Sequence, residues 1–215
     1  MVTTEQLLGA FTYASGPDRE SNLDRDLIAA ALQGDEAAFS KIYVCYRDRI
    51  YNYAYRMLGK QSVAEDMTHE AFLALIQHPD RYQPERSSLL TYLCAIVRHH
   101  VFNYLRRWEN QLAEPVDLTP DFAEQNNPKP EDPLANLLRS ELEAKIEDTI
   151  AALPPLHREV ILLREFEGFS YEEIALVIGS DLNVVKVRLH RARQTMAKQL
   201  ASYLITDGES CHELR

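Results

Sequence analysis

Residues 170–193 read SYEEIALVIGSDLNVVKVRLHRAR, and this stretch decides the fold. It opens with Ser170 three residues before a glutamate, which is the spacing of a helix capping box. Gly179 follows Ala175 by four residues, where a tight turn needs a residue that tolerates a positive φ. Val185 comes six residues after Gly179 and can pack back against the small Ala175. The spacing predicts two short helices joined by a tight turn, the helix-turn-helix arrangement.

The outward face of the second of these helices carries amide, basic and small apolar side chains. Such a face can contact base edges and bind phosphates in duplex DNA. The alternative is a helical hairpin whose basic face is merely solvated, and the spacing alone leaves both interpretations open. The candidate DNA-contacting residues are Asn183, Val184, Lys186, Val187, Arg188, His190 and Arg191.

Helical periodicity continues on both sides of this stretch. Apolar residues recur at three- and four-residue intervals, glycine is scarce, and alternating β-branched runs are rare, so the chain is predicted to be all-α. Ser62 and Glu65 form a second capping-box pattern, and Met67, Ala71, Leu75 and either Phe72 or Ile76 should face inward. The expected helices span residues 23–33, 35–58, 62–78, 88–108, 134–152, 157–167, 170–178 and 182–203.

Residues 110–133 interrupt this periodicity with five prolines among acidic and amide side chains. Such a segment buries too little apolar surface to offset its ordering entropy, so it is predicted to be a flexible acidic linker. We therefore expect two small helical domains. The expected parts are a mobile extension (1–21), a first domain (22–109), the linker (110–133), a second domain (134–204) and a polar tail (205–215).

The formal net charge of −10 is unevenly distributed. Residues 109–151 contain 11 acidic and three basic residues, whereas residues 77–108 and 180–200 are each net positive. Local patches dominate at physiological salt because charges are screened over about 8 Å. The chain has no apolar run long enough to span a membrane and no secretory signal pattern, and its three cysteines are far apart. These features predict a cytoplasmic protein.

Several motifs outside the helix-turn-helix resemble one family. Residues 153–160 (LPPLHREV), 166–175 (FEGFSYEEIA) and 185–193 (VKVRLHRAR) are similar to region 4 of bacterial sigma factors, especially the extracytoplasmic-function (ECF) class. Residues 34–39 (GDEAAF) and 64–72 (AEDMTHEAF) resemble region 2, and residues 81–107 resemble its promoter-melting segment. The resemblance covers about residues 23–110 and 136–203, in the family's order.

The resemblance implies a subunit that binds core RNA polymerase and directs promoter recognition, melting and initiation. Region 4 would dock on the minus-thirty-five element through the recognition-helix residues named above. Region 2 would contact the polymerase clamp through Asp66, His69, Glu70 and Leu73. The implied partners are promoter DNA, core polymerase at the beta-prime clamp and beta flap, and an anti-sigma factor, with no membrane insertion. The implied minus-ten residues are Arg81, Tyr82, Arg86, Arg98, His99, Asn103 and Arg106.

Aromatic side chains near these arginines could stack on melted bases. Tyr82 lies in a loop, where a core role is less expected, and its position matches the loop aromatic beside which the family captures a flipped base, so the resemblance implies that role for it. Tyr92 and Phe102 are more readily explained as core residues. The family commonly has Trp-Leu at Tyr92-Leu93, Asn at His99 and Gln at His69. The family also has hydroxyl residues where this chain has Val184 and Val187, so the base preferences of this chain should differ from those of the family.

Nothing in the sequence has the pattern of a nucleophile with its base, a phosphate loop, paired catalytic carboxylates or a metal site. We therefore expect no catalytic activity, no cofactor and no metal. Two other functions remain open: a stand-alone helix-turn-helix regulator, and a sigma-like mimic that titrates an anti-sigma factor. The region 2 motifs argue against the first, and the retained basic residues argue against the second.

Overall fold

The structure, a computed structural model, describes residues 22–111 and 133–209, with side chains described over 26–108 and 141–201. These residues form helices and their connections, with no strand among them, which confirms the all-α prediction. The α-helices are α1 Asn22–Leu32, α2 Glu36–Leu58, α3 Gln61–Gln77, α4 Leu89–Gln111, α5 Pro133–Ala151, α6 Pro155–Ile161, α7 Tyr171–Ile178 and α8 Leu182–Glu209.

Helices α1 to α4 form the first half, with α2 packed against the other three. The Asp35 side chain accepts hydrogen bonds from two backbone amides at the start of α2. Gly59 ends α2 in the left-handed conformation, at φ 67°, as glycine readily does. The inward face of α3 includes Phe72, while Ile76 is 53% exposed, which resolves the alternative left open by the sequence.

Several helix boundaries differ from the expected positions. Helix α3 begins at Gln61, so Ser62 lies inside it, and the helix has no side-chain cap at Lys60. Gln61 donates to Glu65 instead, one turn along the exposed face. Helix α4 extends to Gln111 and α8 to Glu209, so residues expected in the linker and the tail continue helices. The rest of the expected linker, residues 112–132, lies outside the described residues, as do 1–21 and 210–215.

Helices α5 to α8 form the second half, and its helix-turn-helix is confirmed. Ser170 and Glu173 make both hydrogen bonds of a capping box at the start of α7. Gly179 closes α7 at φ 62°, and Val185 and Leu189 of α8 are buried. Helix α6 widens into a π-helical turn, Leu162–Phe166, where the sequence predicted one continuous helix.

The two halves share one hydrophobic core, which runs from Ile28 to Leu200. Helix α4 of the first half packs against α7 of the second, and α2 packs against α6. Arg158 of α6 donates to the carbonyl oxygens of Met57, 2.7 Å away, and Leu153, 3.1 Å away. The sequence predicted separate domains on a flexible linker and gave no indication of this packing. Within the described residues, no helix is both long and apolar enough to span a membrane.

Candidate nucleic-acid interfaces

Helix α8 presents the predicted recognition face. Its buried stripe includes Val185, Leu189 and Ala192, which hold the helix against the second half's core. The opposite side of the helix is therefore directed to solvent, because residues three and four apart share a face. The predicted residues that are exposed there are Asn183, Lys186, Val187, His190 and Arg191, and Val184 is partly exposed.

Arg188 differs from the other residues of this predicted set because its side chain is directed inward. Its guanidinium donates to Glu159 across 3.0 Å, and the Glu159 side chain is completely buried. Arg98, predicted to contact the minus-ten strand, donates to the other oxygen of the same carboxylate across 2.7 Å. Burial raises the pKa of the Glu159 carboxyl, while both arginines oppose that rise.

A cleft of about 180 Å³ opens between the loop after α3 and the start of α4. Two of the predicted minus-ten arginines, Arg81 and Arg86, line it. Ser88 precedes α4, and its side chain accepts a hydrogen bond from the amide of Thr91, which lines the cleft. The remaining lining residues are Gln83, Ser87, Thr91, Tyr92, Ala95 and, from α7, Leu176. The cleft therefore combines cationic, amide, hydroxyl and aromatic groups, the chemistry that stacks and hydrogen-bonds an unpaired base.

The roles expected for Tyr82 and Tyr92 are exchanged in the structure. Tyr82 is only 6% exposed and belongs to the core, so the expectation that a loop aromatic would avoid the core was wrong. Its ring packs against Tyr92 with centroids 5.3 Å apart and planes inclined by 51°. Tyr92 is half-buried and lines the cleft, and burial raises the pKa of its hydroxyl. One feature of the sequence did point to Tyr92 as a lining residue: it stands where the family commonly has tryptophan. Phe102, which was also expected to be a core residue, packs against the core but remains partly exposed.

A second cleft, of about 360 Å³, shares Arg81, Tyr92 and Ala95 with the first. His99 lines it and is hydrogen-bonded to Asn103 across 2.8 Å, and Asn103 accepts a hydrogen bond from Arg106 across 2.5 Å. These three predicted residues thus form one polar row along α4. His78 and His100 also line this cleft and were not predicted, and burial lowers the pKa of His100.

The predicted polymerase-contacting residues lie together on the exposed side of α3. Asp66, His69, Glu70 and Leu73 are all exposed, and Leu73 retains 45% of its accessible surface. The buried side of the same helix carries Met67, Ala71, Phe72 and Leu75. The exposed Ile76 extends the apolar part of this surface by one further turn.

Comparison with known proteins identifies the family to which this architecture belongs. Residues 42–110 match the family model of sigma-70 region 2, and residues 143–196 match that of sigma-70 region 4. The chain is 32% identical over 180 residues to the ECF RNA polymerase sigma factor SigE of Mycolicibacterium smegmatis, covering 82% of this chain and 68% of that protein. It is 31% identical over 175 residues to SigW of Bacillus subtilis, covering 78% and 91%. The protein therefore belongs to the sigma-70 family. Within that family, it is a member of the ECF sigma factors.

Two solved structures share the fold. Sigma factor RpoE of Bartonella quintana, in complex with the anti-sigma factor NepR, aligns with TM-score 0.61 and 22% identity. That alignment covers 76% of this chain and 96% of RpoE. CnrH in complex with the cytosolic domain of CnrY aligns with TM-score 0.60 and 21% identity, covering 83% and 97%.

Proposed function

We propose that this ECF sigma factor recognises its promoter through two separate surfaces, the exposed face of α8 and the clefts beside α4. It acts by binding rather than by catalysis of its own, in the cytoplasm, where the polymerase is found. The observation that carries the proposal is the combination of both surfaces on a chain with the region 2 and region 4 matches. A stand-alone regulator would not need both surfaces.

The α8 face would enter the major groove of the minus-thirty-five element. Lys186 and Arg191 supply charge for phosphates, and Asn183 can hydrogen-bond an adenine edge. Val187 is 48% exposed and offers an apolar isopropyl group, which suits contact with the methyl group of a thymine. Arg188 is held by Glu159 and so would support the helix from behind rather than contact the DNA.

The cleft between the α3–α4 loop and α4 would take an unpaired base of the minus-ten strand. Tyr92 provides the aromatic wall, and Arg81 and Arg86 would bind the flanking phosphates. The row of His99, Asn103 and Arg106 would continue the strand's path along α4. Tyr82 contributes by supporting the Tyr92 ring from the core rather than by touching the base.

Two protein partners complete the proposal. The exposed face of α3 with Asp66, His69, Glu70 and Leu73 would contact the polymerase clamp, and the second half would contact the beta flap. The structure of RpoE contains the anti-sigma factor NepR, and that of CnrH contains the cytosolic domain of CnrY. We extend regulation by an anti-sigma factor to this chain.

Run-off transcription tests the proposal. Core polymerase is supplied with and without the protein on the upstream region of the protein's own gene and on several other candidate promoters. We expect transcripts that require the protein and that are lost with Arg81→Ala combined with Arg86→Ala. Arg47→Ala is the matched control, since Arg47 is an exposed arginine on α2 outside both surfaces. The absence of any protein-dependent transcript would favour a mimic that titrates an anti-sigma factor.

A further inference from the structure

We propose that the second cleft, between the end of α3 and the middle of α4, binds a backbone phosphate of the melted strand, and that its histidines make this binding stronger as the pH falls. This inference rests on the proposed function of the surface beside α4. It deepens that function by assigning a phosphate site to His78 and His100, which are not among the minus-ten residues expected from the sequence.

The second cleft is bounded by three segments of the first half. His78 directly follows α3, Arg81 ends the short 3-10 helix Pro79–Arg81, and His99 and His100 lie on α4. The cleft encloses about 360 Å³, and small-molecule sites in proteins enclose roughly 300–1,000 Å³. One sugar-phosphate unit with its base is therefore of a suitable size for this space.

The two sides of this cleft differ in chemistry. One side is apolar and aromatic, and it consists of Ala74, Tyr92, Ala95 and Ile96. The other side carries one guanidinium and three imidazoles, and among the described residues that line the cleft none has a carboxylate. Charged nitrogen donors form strong hydrogen bonds with phosphate oxygens, and an aromatic ring can stack on a base. The cleft therefore offers a nucleotide both a stacking wall and an anion-binding wall.

The hydrogen bonds of His99 indicate which of its nitrogens carries a proton. The side-chain oxygen of Asn103 accepts from Arg106, so the Asn103 amide nitrogen is the atom that faces His99. An amide nitrogen can only donate, so the Nε2 atom of His99 must accept, and its proton is on Nδ1. His99 is therefore a neutral donor in this arrangement, and an added proton would be taken by His78 or His100.

The charges around His100 make its protonation decisive. Burial lowers the pKa of His100, Glu70 of α3 opposes that shift, and His99 adds to it, so the imidazole is neutral at neutral pH in the free chain. The loop contributes two charges of opposite sign, Arg81 and Asp80. Because the permanent charges near the cleft are thus two carboxylates and one guanidinium, the site attracts a phosphate mainly when its histidines are protonated.

Continuity between the two clefts indicates that the occupant is the melted strand rather than a free anion. Arg81, Tyr92 and Ala95 line both clefts. A base stacked on Tyr92 in the first cleft would place the adjoining backbone at the second. From there, the row of His99, Asn103 and Arg106 continues along α4. A strand held at the first cleft therefore reaches the histidines without needing a separate path.

The direction of the pH dependence follows from linkage. A phosphate stabilises the charged imidazole and raises its pKa, so binding takes up a proton. Affinity is lowest above the pKa of the bound state, rises as the pH falls toward the lower pKa of the free state, and is constant below it. If the phosphate raises that pKa by about one-half to one, the total gain in affinity is about three- to tenfold.

Fluorescence anisotropy of a labelled oligothymidylate with the full chain tests the proposal, at about pH 8 and about pH 6 and at constant ionic strength. We expect about three- to tenfold tighter binding at the lower pH. His78→Gln combined with His100→Gln should reduce this gain to less than about twofold, because glutamine cannot take up the proton. His157→Gln is the matched control, since His157 is a partly exposed histidine on α6, outside both clefts, and this variant should keep the gain.

Two results would overturn the proposal: a gain that persists in the double variant, and an unmodified chain whose affinity is the same at both pH values. His78→Gln alone guards against misfolding, because His78 is exposed, and circular dichroism checks the helicity of every variant. Binding that requires Arg81 and Arg86 but does not change with pH would refute the phosphate site and leave the minus-ten surface standing. Absence of binding at both pH values would refute both.

Thymidine 5′-monophosphate distinguishes the strand from a free nucleotide as the occupant. A single nucleotide cannot bridge the two clefts, so we expect it to compete with the labelled oligothymidylate only weakly, at millimolar concentration. The imidazole signals of His78 and His100 in the NMR spectrum report its binding directly. Saturation of these signals by micromolar thymidine 5′-monophosphate would assign the cleft to a free nucleotide and would overturn the strand as its occupant.

Discussion

The two halves of this sigma factor present their DNA surfaces in different ways. In the second half, the surface is one face of a regular helix, and most residues assigned to it from the sequence are exposed. In the first half, the surface is assembled from a loop, a helix start and a helix face, and there Tyr82 and Arg98 are turned away from solvent. Helical periodicity fixes a face, whereas a loop side chain depends on what packs beside it.

The largest expected effect is at Glu159, where the two halves meet. Glu159→Ala should lower the free energy of unfolding by about 3–5 kcal/mol, because it leaves two arginines without their buried partner. Urea denaturation measures the effect. Glu85→Ala, which removes an exposed loop carboxylate, should change it by less than about 0.5 kcal/mol. Similar small losses in both variants would mean that the ion pairs are not formed in solution.

Tyr82 and Tyr92 test the first half's surface. Tyr82→Ala should cost about 3 kcal/mol of stability, because a buried ring is replaced by a cavity. Tyr92→Ala should cost less, since its ring is half-exposed, but it should reduce promoter opening, detected by permanganate reactivity of unpaired thymines. A Tyr82→Ala chain that is fully stable yet fails to open the promoter would instead place Tyr82 beside the flipped base.

Arg191 and Arg188 test the second half's surface. Arg191→Ala should weaken binding to a minus-thirty-five duplex by about 1–3 kcal/mol with no loss of stability, because Arg191 is exposed on the recognition face. Arg188→Ala should mainly lower stability, because Glu159 loses a partner. Duplex binding by anisotropy and urea denaturation separate the two outcomes. Unchanged duplex affinity in both variants would refute the proposed docking.

The smallest expected effect on stability distinguishes the two Ser-x-x-Glu segments, which begin at Ser170 and Ser62. Ser170→Ala should destabilise the second half by about 1 kcal/mol, because its hydroxyl caps α7. Ser62→Ala should be neutral or slightly stabilising, because Ser62 lies inside α3, where alanine has the better helix propensity. Thermal melts of the two variants provide the comparison. Equal destabilisation would place a cap at Ser62 as well.

These two segments also show how far local sequence can predict structure. The same four-residue pattern is a cap at Ser170 and a helix interior at Ser62, because Gly59 ends α2 so close to α3 that the helix already begins at Gln61. The sequence placed the start of every α-helix of the described residues within a few positions, yet it ended α4 and α8 too early and did not predict the short 3-10 helix Pro79–Arg81. The boundaries of a helix depend on which of several residues caps it. That signal in the sequence is weaker than the apolar periodicity that indicates whether a helix forms at all.

The sequence by itself determined the α-helices, the helix-turn-helix and most of the solvent-facing residues of α3 and α8, because apolar spacing decides which side of a helix is buried. It also carried the family, through motifs in both halves. Only the tertiary structure decided that Tyr92 rather than Tyr82 lines the cleft, and that Glu159 holds Arg98 and Arg188 together. These pairings join residues 61 and 29 positions apart, and no local pattern encodes which distant side chains will meet.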